Sequence, residues 1–347
     1  MNSREILAIN IQIIESESKL RELATVWNNL LEESHTKSVF LSWEWIETWW
    51  QTFHSSFSPL ILMAVDEGVP CGIAPLIVRK GPSPRLEFFG QNKAYGEYLD
   101  FIVPRGREDQ VTPALCKKIA ELHAAGKWQS MSLAVVLENS PNFSLISSSL
   151  KRHGLEIEKS PVRFCPYVNL PANWEMYLTR KGKKLRKQIE YNERRLNRTG
   201  EFKIEFPRNT SEVDEFFDDL IYLHNARWDK PLDDVFFSFH RRIAHRFFPL
   251  NRLLLARLRV GQNVVAVKYD FVFDNKVWGY QGGWLKEFKK LEVGSILLCE
   301  IFKYCISQEI REYDFLEGNS WYKRRWSTSS YKAFDLTYGK AGPAYIF

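Results

Sequence analysis

Residues 251–284 constrain the fold of this chain more strongly than any other stretch. They read NRLLLARLRVGQNVVAVKYDFVFDNKVWGYQGGW, in which three apolar runs are separated by the turn sequences VGQN and FDNK. Runs rich in Val, Leu, Phe and Tyr, bounded by Gly, Asn and Asp, are typical of β-strands joined by tight turns. The segment therefore predicts an antiparallel meander of three consecutive strands.

The first half of the chain shows a comparable order. Residues 59–80 form two apolar runs around Gly68, and Pro70 is tolerated there only at a strand start or a bulge. A helix near 109–125 and a strand near 128–137 are predicted next, and the second half likewise continues with a helix near 294–308 and the strand EYDFLEG. We therefore predict the α/β (α+β) class, with two domains, 1–165 and 166–347, each a mixed, mostly antiparallel sheet flanked by helices.

Composition excludes several classes of protein. At 347 residues with 45% apolar content the chain can bury two cores, and no run of 18 apolar residues predicts a membrane span. The N-terminal sequence does not resemble a signal or transit peptide, so we expect a soluble, cytoplasmic protein for which peripheral membrane contact stays open. The cysteines form no CxxC pair and stand near no His cluster, which predicts reduced thiols and no metal site. They are Cys71, Cys116, Cys165, Cys299 and Cys305.

Positive charge is concentrated in one segment, RKGKKLRKQIEYNERRLNRTG, at residues 180–200. It holds nine Lys or Arg against Glu190 and Glu193, whereas the whole chain has a net charge of +6. Leu178, Leu185, Ile189 and Leu196 fall on one stripe of a helix predicted over about 174–198, so the charges face outward. A solvated face, an anionic ligand such as a nucleotide, phospholipid or acyl-carrier protein, and nucleic acid all remain open. Nucleic acid is disfavoured, because only Tyr191 could stack on a base.

Six fragments, taken together, resemble the tandem-domain GNAT acyltransferases related to the FemAB group and to the acetyltransferases of cellulose and exopolysaccharide biosynthesis. They occur in the family's order and cover most of the chain. The fragments are FLSWEWIETWW, GIAPLIV, GEYLDF, KKLRKQIEYNERRL, LHNARW and YDFLEGNSWYKRRW. The resemblance implies two GNAT-like domains, an acyl donor bound where two strands of a sheet part, and an amine acceptor.

The resemblance also implies a donor site in KEFKKLEVGSIL. Acetyl-CoA or a longer acyl-CoA would lie along a strand edge, with its pyrophosphate at the start of the following helix. Lys289, Lys290, Gly294 and Ser295 are the candidate donor-binding residues. The sequence departs from the family's [RQ]-x-x-G-x-[GA] pattern, since Glu292 stands at the first glycine position and its carboxylate would disfavour a pyrophosphate.

Acyl transfer to an amine needs a base for the amine, a donor for the developing oxyanion and a proton for the leaving sulfur. Backbone amides can serve the oxyanion, so few side chains are expected to mark the site. The candidate bases are Glu97, at the family's acidic position, His224 and Asp314. Tyr280, in the glycine-rich strand VWGYQGGW, is the candidate acid. For each of the four, a structural role is an open alternative.

Substrate contacts are expected from residues beside these groups. Arg227 and Trp228 follow His224 in the LHNARW motif, and Tyr98 follows Glu97. Asn319 and Lys323 lie in NSWYKRRW, where the family has a terminal lysine motif that positions an acidic or phosphate-bearing group.

Three functions are compatible with this pattern. The first is an acyl-CoA-dependent N-acyltransferase acting on an amine of a sugar, lipid or cell-envelope precursor. The second is a FemAB-like aminoacyltransferase that takes its donor from tRNA, in which the basic helix would face RNA. The third is a non-catalytic binding protein for polysaccharide or lipid on the same fold. The expected partners of the first are a small-molecule or lipid amine acceptor and an acyl-carrier protein.

Overall fold

The computed structural model describes residues 9–227 and 232–340. They divide into two compact units. The first comprises the described residues up to Phe164 together with those from Tyr331 onward, and the second runs from Cys165 to Ser330. The last strand of the described chain thus belongs mainly to the first unit, although it follows the second in sequence.

The first unit alternates helices with an antiparallel meander. Its elements are β1 (Asn10–Ile14), α1 (Glu17–Arg21), α2 (Ala24–Glu33), α3 (Trp43–Phe53), β2 (Phe57–Asp66), β3 (Val69–Arg79), β4 (Arg85–Phe88), α4 (Glu108–Ala124), β5 (Ser130–Leu137), α5 (Pro141–Arg152) and β6 (Glu158–Lys159). The predicted turn at Gly68 joins β2 and β3, and Pro70 stands at the start of β3 next to a bulge at Cys71. This is where a residue without an amide hydrogen is tolerated.

The second unit repeats this order. Its elements are β7 (Arg163–Asn169), α6 (Trp174–Lys181), α7 (Lys183–Thr199), β8 (Phe202–Glu205), α8 (Thr210–Arg227), α9 (Asp234–Phe247), β9 (Leu253–Val260), β10 (Asn263–Phe273), β11 (Lys276–Trp284), α10 (Val293–Ser307), β12 (Glu312–Asp314), α11 (Trp321–Trp326) and, crossing back to the first unit, β13 (Ser329–Tyr338). A short 3-10 turn, Lys286–Leu291, links β11 to α10.

Among the described residues, each unit contributes one parallel strand pair to otherwise antiparallel pairing. In the first unit the strands lie in the order β1-β2-β3-β4-β5-β13, with β4 and β5 parallel. In the second unit the order is β7-β12-β11-β10-β9-β8, with β11 and β12 parallel. The predicted fold class, with mixed and mostly antiparallel β-sheet flanked by helices, is confirmed. The predicted meander at 251–284 is β9, β10 and β11.

Several predicted elements differ from the structure. The helix expected over 174–198 is broken at Gly182, whose φ of +86° lies in the left-handed region. The strand expected in EYDFLEG is only three residues long, because Leu316 turns the chain at a φ of +61°. The segment SWYKRRW, for which no helix was expected, forms α11 with Ser320 as its N-cap.

The second unit is held by an apolar layer between its sheet and α6, α7 and α10. Leu185, Ile189 and Leu196 of α7 are buried in this layer, as the helical stripe predicted. α10 contributes an almost continuous apolar surface, including Leu297 and Phe302. None of the described helices is long and apolar enough to cross a membrane. The five cysteines are buried and carry no disulfide.

Candidate functional site

β11 and β12 part after a short paired segment. Their parallel pairing covers three residue pairs, from Lys276 opposite Glu312 to Trp278 opposite Asp314. β12 ends there, where the carboxylate of Asp314 accepts the amide of Leu316 at 2.7 Å and the chain turns away. β11 continues to Trp284. The result is an opening, called the slot below, along one edge of β11.

The phase of the hydrogen bonds decides which backbone groups face the slot. The amide of Leu285 donates to the carbonyl of Val265 of β10 at 3.0 Å. Gly283 and Gln281 lie two and four residues before Leu285, so their backbone groups also point toward β10. In an antiparallel pair, alternate residues direct their backbone groups to opposite sides. Gly282 and Trp284 therefore direct their amides and carbonyls away from β10, toward the slot.

A cavity of about 560 Å³ lies at the slot, entirely within the second unit. It is lined by β11 from Gly279 to Trp284, by the start of α10 and by α11. Five lining side chains are cationic, whereas Glu292 is the one carboxylate among the described lining residues. The cations are Arg227, Lys268, Lys289, Lys323 and Arg325. The cavity therefore favours an anionic or strongly polarised ligand.

The start of α10 meets the cavity at Glu292. This residue adopts the left-handed conformation, with φ +49° and ψ 42°, immediately before the first helical residue, Val293. Its carboxylate pairs with Arg325 of α11 at 3.0 Å. The first amides of a helix have no intrahelical acceptor, so they remain suited to an anion. Glu292 thus occupies the backbone conformation that glycine would favour, and Arg325 compensates its charge.

A buried carboxylate locks three strands together where the slot begins. Asp270 of β10 is fully buried; its Oδ1 lies 2.9 Å from Nζ of Lys268, and its Oδ2 accepts the hydroxyl of Tyr313 at 2.7 Å. Tyr313 belongs to β12, so its ring crosses over Gly279 of β11 to reach Asp270. Oδ1 also accepts the amide of Tyr280 at 3.0 Å, at a bulge in β11. Burial raises the pKa of the Asp270 carboxyl, and the Lys268 ammonium opposes that shift.

Tyr280 is hydrogen-bonded to a buried histidine. Its hydroxyl lies 3.0 Å from Nε2 of His240, while Nδ1 of the same ring lies 3.3 Å from the hydroxyl of Tyr269. The Tyr269 hydroxyl donates to the carbonyl of His240 at 3.1 Å, so it can only accept from Nδ1. Burial lowers the pKa of His240, which keeps the ring neutral. With the proton on Nδ1, Nε2 accepts, and Tyr280 is therefore the donor of its hydrogen bond to His240.

The corresponding strand pair of the first unit is closed by a side chain. β4 and β5 pair from Arg85 opposite Ser130 to Glu87 opposite Ser132. Just beyond, Oε1 of the buried Gln91 accepts the amide of Ala134 at 2.9 Å. This amide of β5, just beyond the paired segment, is thus already bonded within the protein.

The structure brings six of the predicted site residues to the cavity: Arg227, Tyr280, Lys289, Gly294, Ser295 and Lys323. The ammonium of Lys323 donates to the carbonyls of Leu316 and Glu317, which ties α11 to the end of β12. The guanidinium of Arg227 lies 5.3 Å from the ring centroid of Trp284.

The other predicted residues that the structure describes do not line this cavity. His224 is buried against Phe237, and Asp314 is buried at the end of β12. Lys290 and Asn319 are exposed beside the cavity, while Glu97 and Tyr98 are buried in the first unit. Trp228 lies outside the described residues. Among residues 9–227 and 232–340, no group of three or more His, Cys, Asp or Glu side chains could hold a metal ion.

Sequence reasoning did not identify several residues that shape the site. Asp270, Tyr313 and His240 lie in apolar or aromatic stretches that predict core packing, and no motif distinguishes them. Trp284 and Trp321 line the cavity, and 66% of Trp321 is exposed. A Trp next to a cluster of Lys and Arg in SWYKRRW is the sequence signal that could have identified Trp321.

Comparisons with known proteins agree with this geometry. Residues 183–324, which contain β11, α10 and β12, match the family model described as an acetyltransferase (GNAT) domain. A comparison with curated protein sequences finds no significant match.

Three solved structures share the fold over nearly the whole chain. The crystal structure of FemX aligns with a TM-score of 0.65 at 12% identity, covering 95% of this chain and 97% of FemX. A tandem GNAT protein from the clavulanic acid biosynthesis pathway aligns with a TM-score of 0.53 at 10% identity, covering 96% and 99%. The C-terminal domain of a putative lysylphosphatidylglycerol synthetase from Agrobacterium fabrum aligns with a TM-score of 0.55 at 11% identity, covering 93% and 92%.

These likenesses agree with the duplicated element order and with the parted strands β11 and β12. Residues 183–324 are therefore similar to a GNAT acetyltransferase domain, and nearly the whole chain shares the fold of FemX and of a tandem GNAT protein.

Proposed function

We propose that this protein is an N-acyltransferase that moves an acyl group from a coenzyme A thioester to an amine. The observation that supports this most is the slot, where Gly282 and Trp284 turn their backbone groups away from β10 beyond the end of β12. The amide groups of a pantetheine chain can pair with such an edge as an added strand would. Lys289 and the first amides of α10 are suited to the phosphates that follow.

The reaction makes limited demands on side chains. The amine nitrogen bonds to the thioester carbon, the carbon–sulfur bond breaks, the nitrogen loses a proton and the leaving sulfur gains one. Tyr280 is our candidate for the proton given to sulfur. The hydroxyl of Tyr280 donates a hydrogen bond to His240, so this role requires the hydroxyl to break that bond and turn toward the cavity. The lost hydrogen bond costs roughly 1 kcal/mol.

We propose that the acceptor is an amine on a sugar, lipid or cell-envelope precursor. Trp284 and Trp321 supply flat apolar surface at the cavity, and the surrounding cations suit a phosphate or carboxylate on the same molecule. Both features favour an amphipathic or anionic acceptor over a small neutral amine.

A second candidate is supported by Glu292. A carboxylate at the start of α10 disfavours a pyrophosphate even when Arg325 compensates it, and this would suit a donor without one. A FemAB-like aminoacyltransferase, which takes its aminoacyl group from tRNA, is such a case. We rank it second, because it leaves the slot on β11 without an assigned ligand.

The experiment is a binding and turnover comparison on the full chain. Wild-type protein should be stabilised by coenzyme A, by about 2.7 kcal/mol at a hundredfold excess over Kd, and should release free thiol from acyl-CoA when an acceptor amine is added. Gly294→Asp adds a negative charge at the start of α10 and should weaken donor binding. Gly294→Ala is the matched control, since its Cβ would lie 3.4 Å from Trp284, an ordinary contact.

Two results would contradict the proposal. Transfer from aminoacyl-tRNA without any effect of coenzyme A would favour the second candidate. Absence of both stabilisation and transfer, with polysaccharide or lipid still bound, would leave a non-catalytic binding protein.

A further inference from the structure

The outward face of α7 carries positive charge without a compensating carboxylate. Lys187, Tyr191, Arg194 and Arg198 recur at helical spacing on the side opposite the buried stripe of Leu185, Ile189, Asn192 and Leu196. All four outward side chains are exposed, Tyr191 to 50%. The two glutamates of the helix lie on its flank, where Glu190 contacts Arg186 and Glu193 contacts Lys303.

The three outward cations are unpaired. Lys187, Arg194 and Arg198 form no ion pair with any residue that the structure describes. An exposed helix face with several unpaired cations repels itself, so it is a candidate for an anionic partner.

This face is continuous with the mouth of the cavity. Arg195, on the edge of the same face, donates to the carbonyl of Lys290 at 3.0 Å. The neighbouring Lys289 lines the cavity, and so does Trp321 of α11. We call this set the basic rim. It comprises Lys187, Tyr191, Arg194, Arg195, Arg198, Lys289, Lys290 and Trp321.

We propose that the basic rim docks the protein on an anionic lipid bilayer, with the mouth of the cavity at the membrane surface. Each Lys or Arg near an anionic bilayer contributes about 1 kcal/mol, and Trp sits favourably at the level of the lipid headgroups. The rim presents both features, several exposed cations and an indole that is 66% exposed. Single-stranded RNA would use the cations and would also stack its bases on aromatic side chains, of which the outward face of α7 carries Tyr191 alone.

The inference goes beyond the proposed function and does not depend on it. It places the membrane next to the slot whether the donor is a thioester or an aminoacyl-tRNA. An amphiphilic acceptor could then keep its apolar chain in the bilayer while its polar head enters the cavity between Trp321 and Lys289. A freely diffusing acceptor would gain nothing from the docking.

The test is co-sedimentation of the full chain with vesicles of phosphatidylcholine, alone or mixed with phosphatidylglycerol. Wild-type protein should bind the phosphatidylglycerol vesicles, and binding should fall as salt rises. The combined change Lys187→Glu, Arg194→Glu and Arg198→Glu should weaken partitioning by about 100-fold, since each lost cation is worth about fivefold. Trp321→Ala should weaken partitioning onto the vesicles by roughly tenfold, because the variant has no indole surface to transfer from water into the bilayer.

Matched variants control for net charge and for loss of an exposed ring. Lys117→Glu, Lys151→Glu and Lys332→Glu, combined in the first unit, change the net charge equally at exposed positions and should bind vesicles like wild type. Tyr222→Ala removes an exposed aromatic ring of α8, 65% exposed, and should also bind normally. Unchanged circular dichroism and thermal midpoints would show that all variants are folded.

Four results would overturn the inference. In the first three, wild type does not bind phosphatidylglycerol vesicles, the α7 variant binds them as well as wild type does, or the first-unit control loses as much binding as the α7 variant. In the fourth, wild type binds bulk tRNA but not vesicles, and the α7 variant loses the binding to tRNA. The last result would assign the rim to RNA. Coenzyme A binding, measured in parallel, tests the proposed function separately from the docking.

Discussion

Gly279→Ala tests how three strands are held together where the slot begins. A Cβ atom on Gly279 would lie 2.7 Å from the hydroxyl oxygen of Tyr313, 2.8 Å from its Cε1 and 3.0 Å from its Cζ. The Tyr313 ring is fully buried, so it cannot move into solvent. The methyl group must therefore displace either the ring or β11 itself.

The expected loss of stability has two parts. Displacing the ring breaks the 2.7 Å hydrogen bond from Tyr313 to the buried carboxylate of Asp270, which is worth about 1.5–3 kcal/mol for a charged acceptor. Overpacking a filled core adds about 1–3 kcal/mol. The free energy of unfolding should therefore fall by about 3–6 kcal/mol, and the slot should lose ligand affinity because β11 and β12 no longer meet at the same angle.

The assay is urea unfolding of wild type, Gly279→Ala, Tyr313→Phe and the double variant. Tyr313→Phe removes only the hydroxyl and should lose about 1.5–3 kcal/mol. In the double variant the closest contact is absent, so the combined loss should be smaller than the sum. A Gly279→Ala protein within about 0.5 kcal/mol of wild type, or strictly additive losses, would refute the reasoning.

Four further predictions concern the cavity and the first unit. Tyr280→Phe should lower turnover if Tyr280 is the acid, and an unchanged rate would remove Tyr280 from that role. The same change should lower the free energy of unfolding by about 1–3 kcal/mol, because Nε2 of His240 loses its hydrogen-bond donor. Gly294→Asp should raise the donor Kd in calorimetry, while equal affinity would relocate the donor site. Glu292→Gly should tighten donor binding and relieve roughly 1 kcal/mol of left-handed strain, and weaker binding would show that the carboxylate helps. Asp100→Asn should make unfolding less sensitive to pH, as measured by urea denaturation between pH 4 and 7.

The Asp100 prediction has a definite sign. Burial raises the pKa of this carboxyl from 3.8 to about 6, although it accepts hydrogen bonds from Thr36 and the amide of Phe101. Because the pKa of Asp100 is higher in the folded state than in the unfolded state, its protonation stabilises the fold at pH values below the unfolded-state pKa. That stability is lost as the pH rises through about 6. Between pH 4 and 7 wild type should lose about 2 kcal/mol relative to Asp100→Asn. Parallel pH profiles for the two proteins would contradict the assignment.

The element order of both units was predictable because its signals are local. Alternating apolar residues and turn residues such as Gly68 act within a few positions, and they specify strands and hairpins directly. The buried stripe of α7 was predictable for the same reason. The break at Gly182 was not, since the helical apolar pattern continues across it through Leu178 and Leu185 and only the backbone angle of the glycine ends the helix.

The sequence by itself therefore determined most of the strands and helices, the concentration of charge on α7 and the place where α10 begins. The tertiary structure decided that the pairing of β11 with β12 stops after three residue pairs, that Tyr313 passes over Gly279 to Asp270, and that Arg325 compensates Glu292. These contacts join residues 33 or more positions apart. Such contacts depend on strand register and on how the chain returns to the sheet, and no local pattern of residues encodes either.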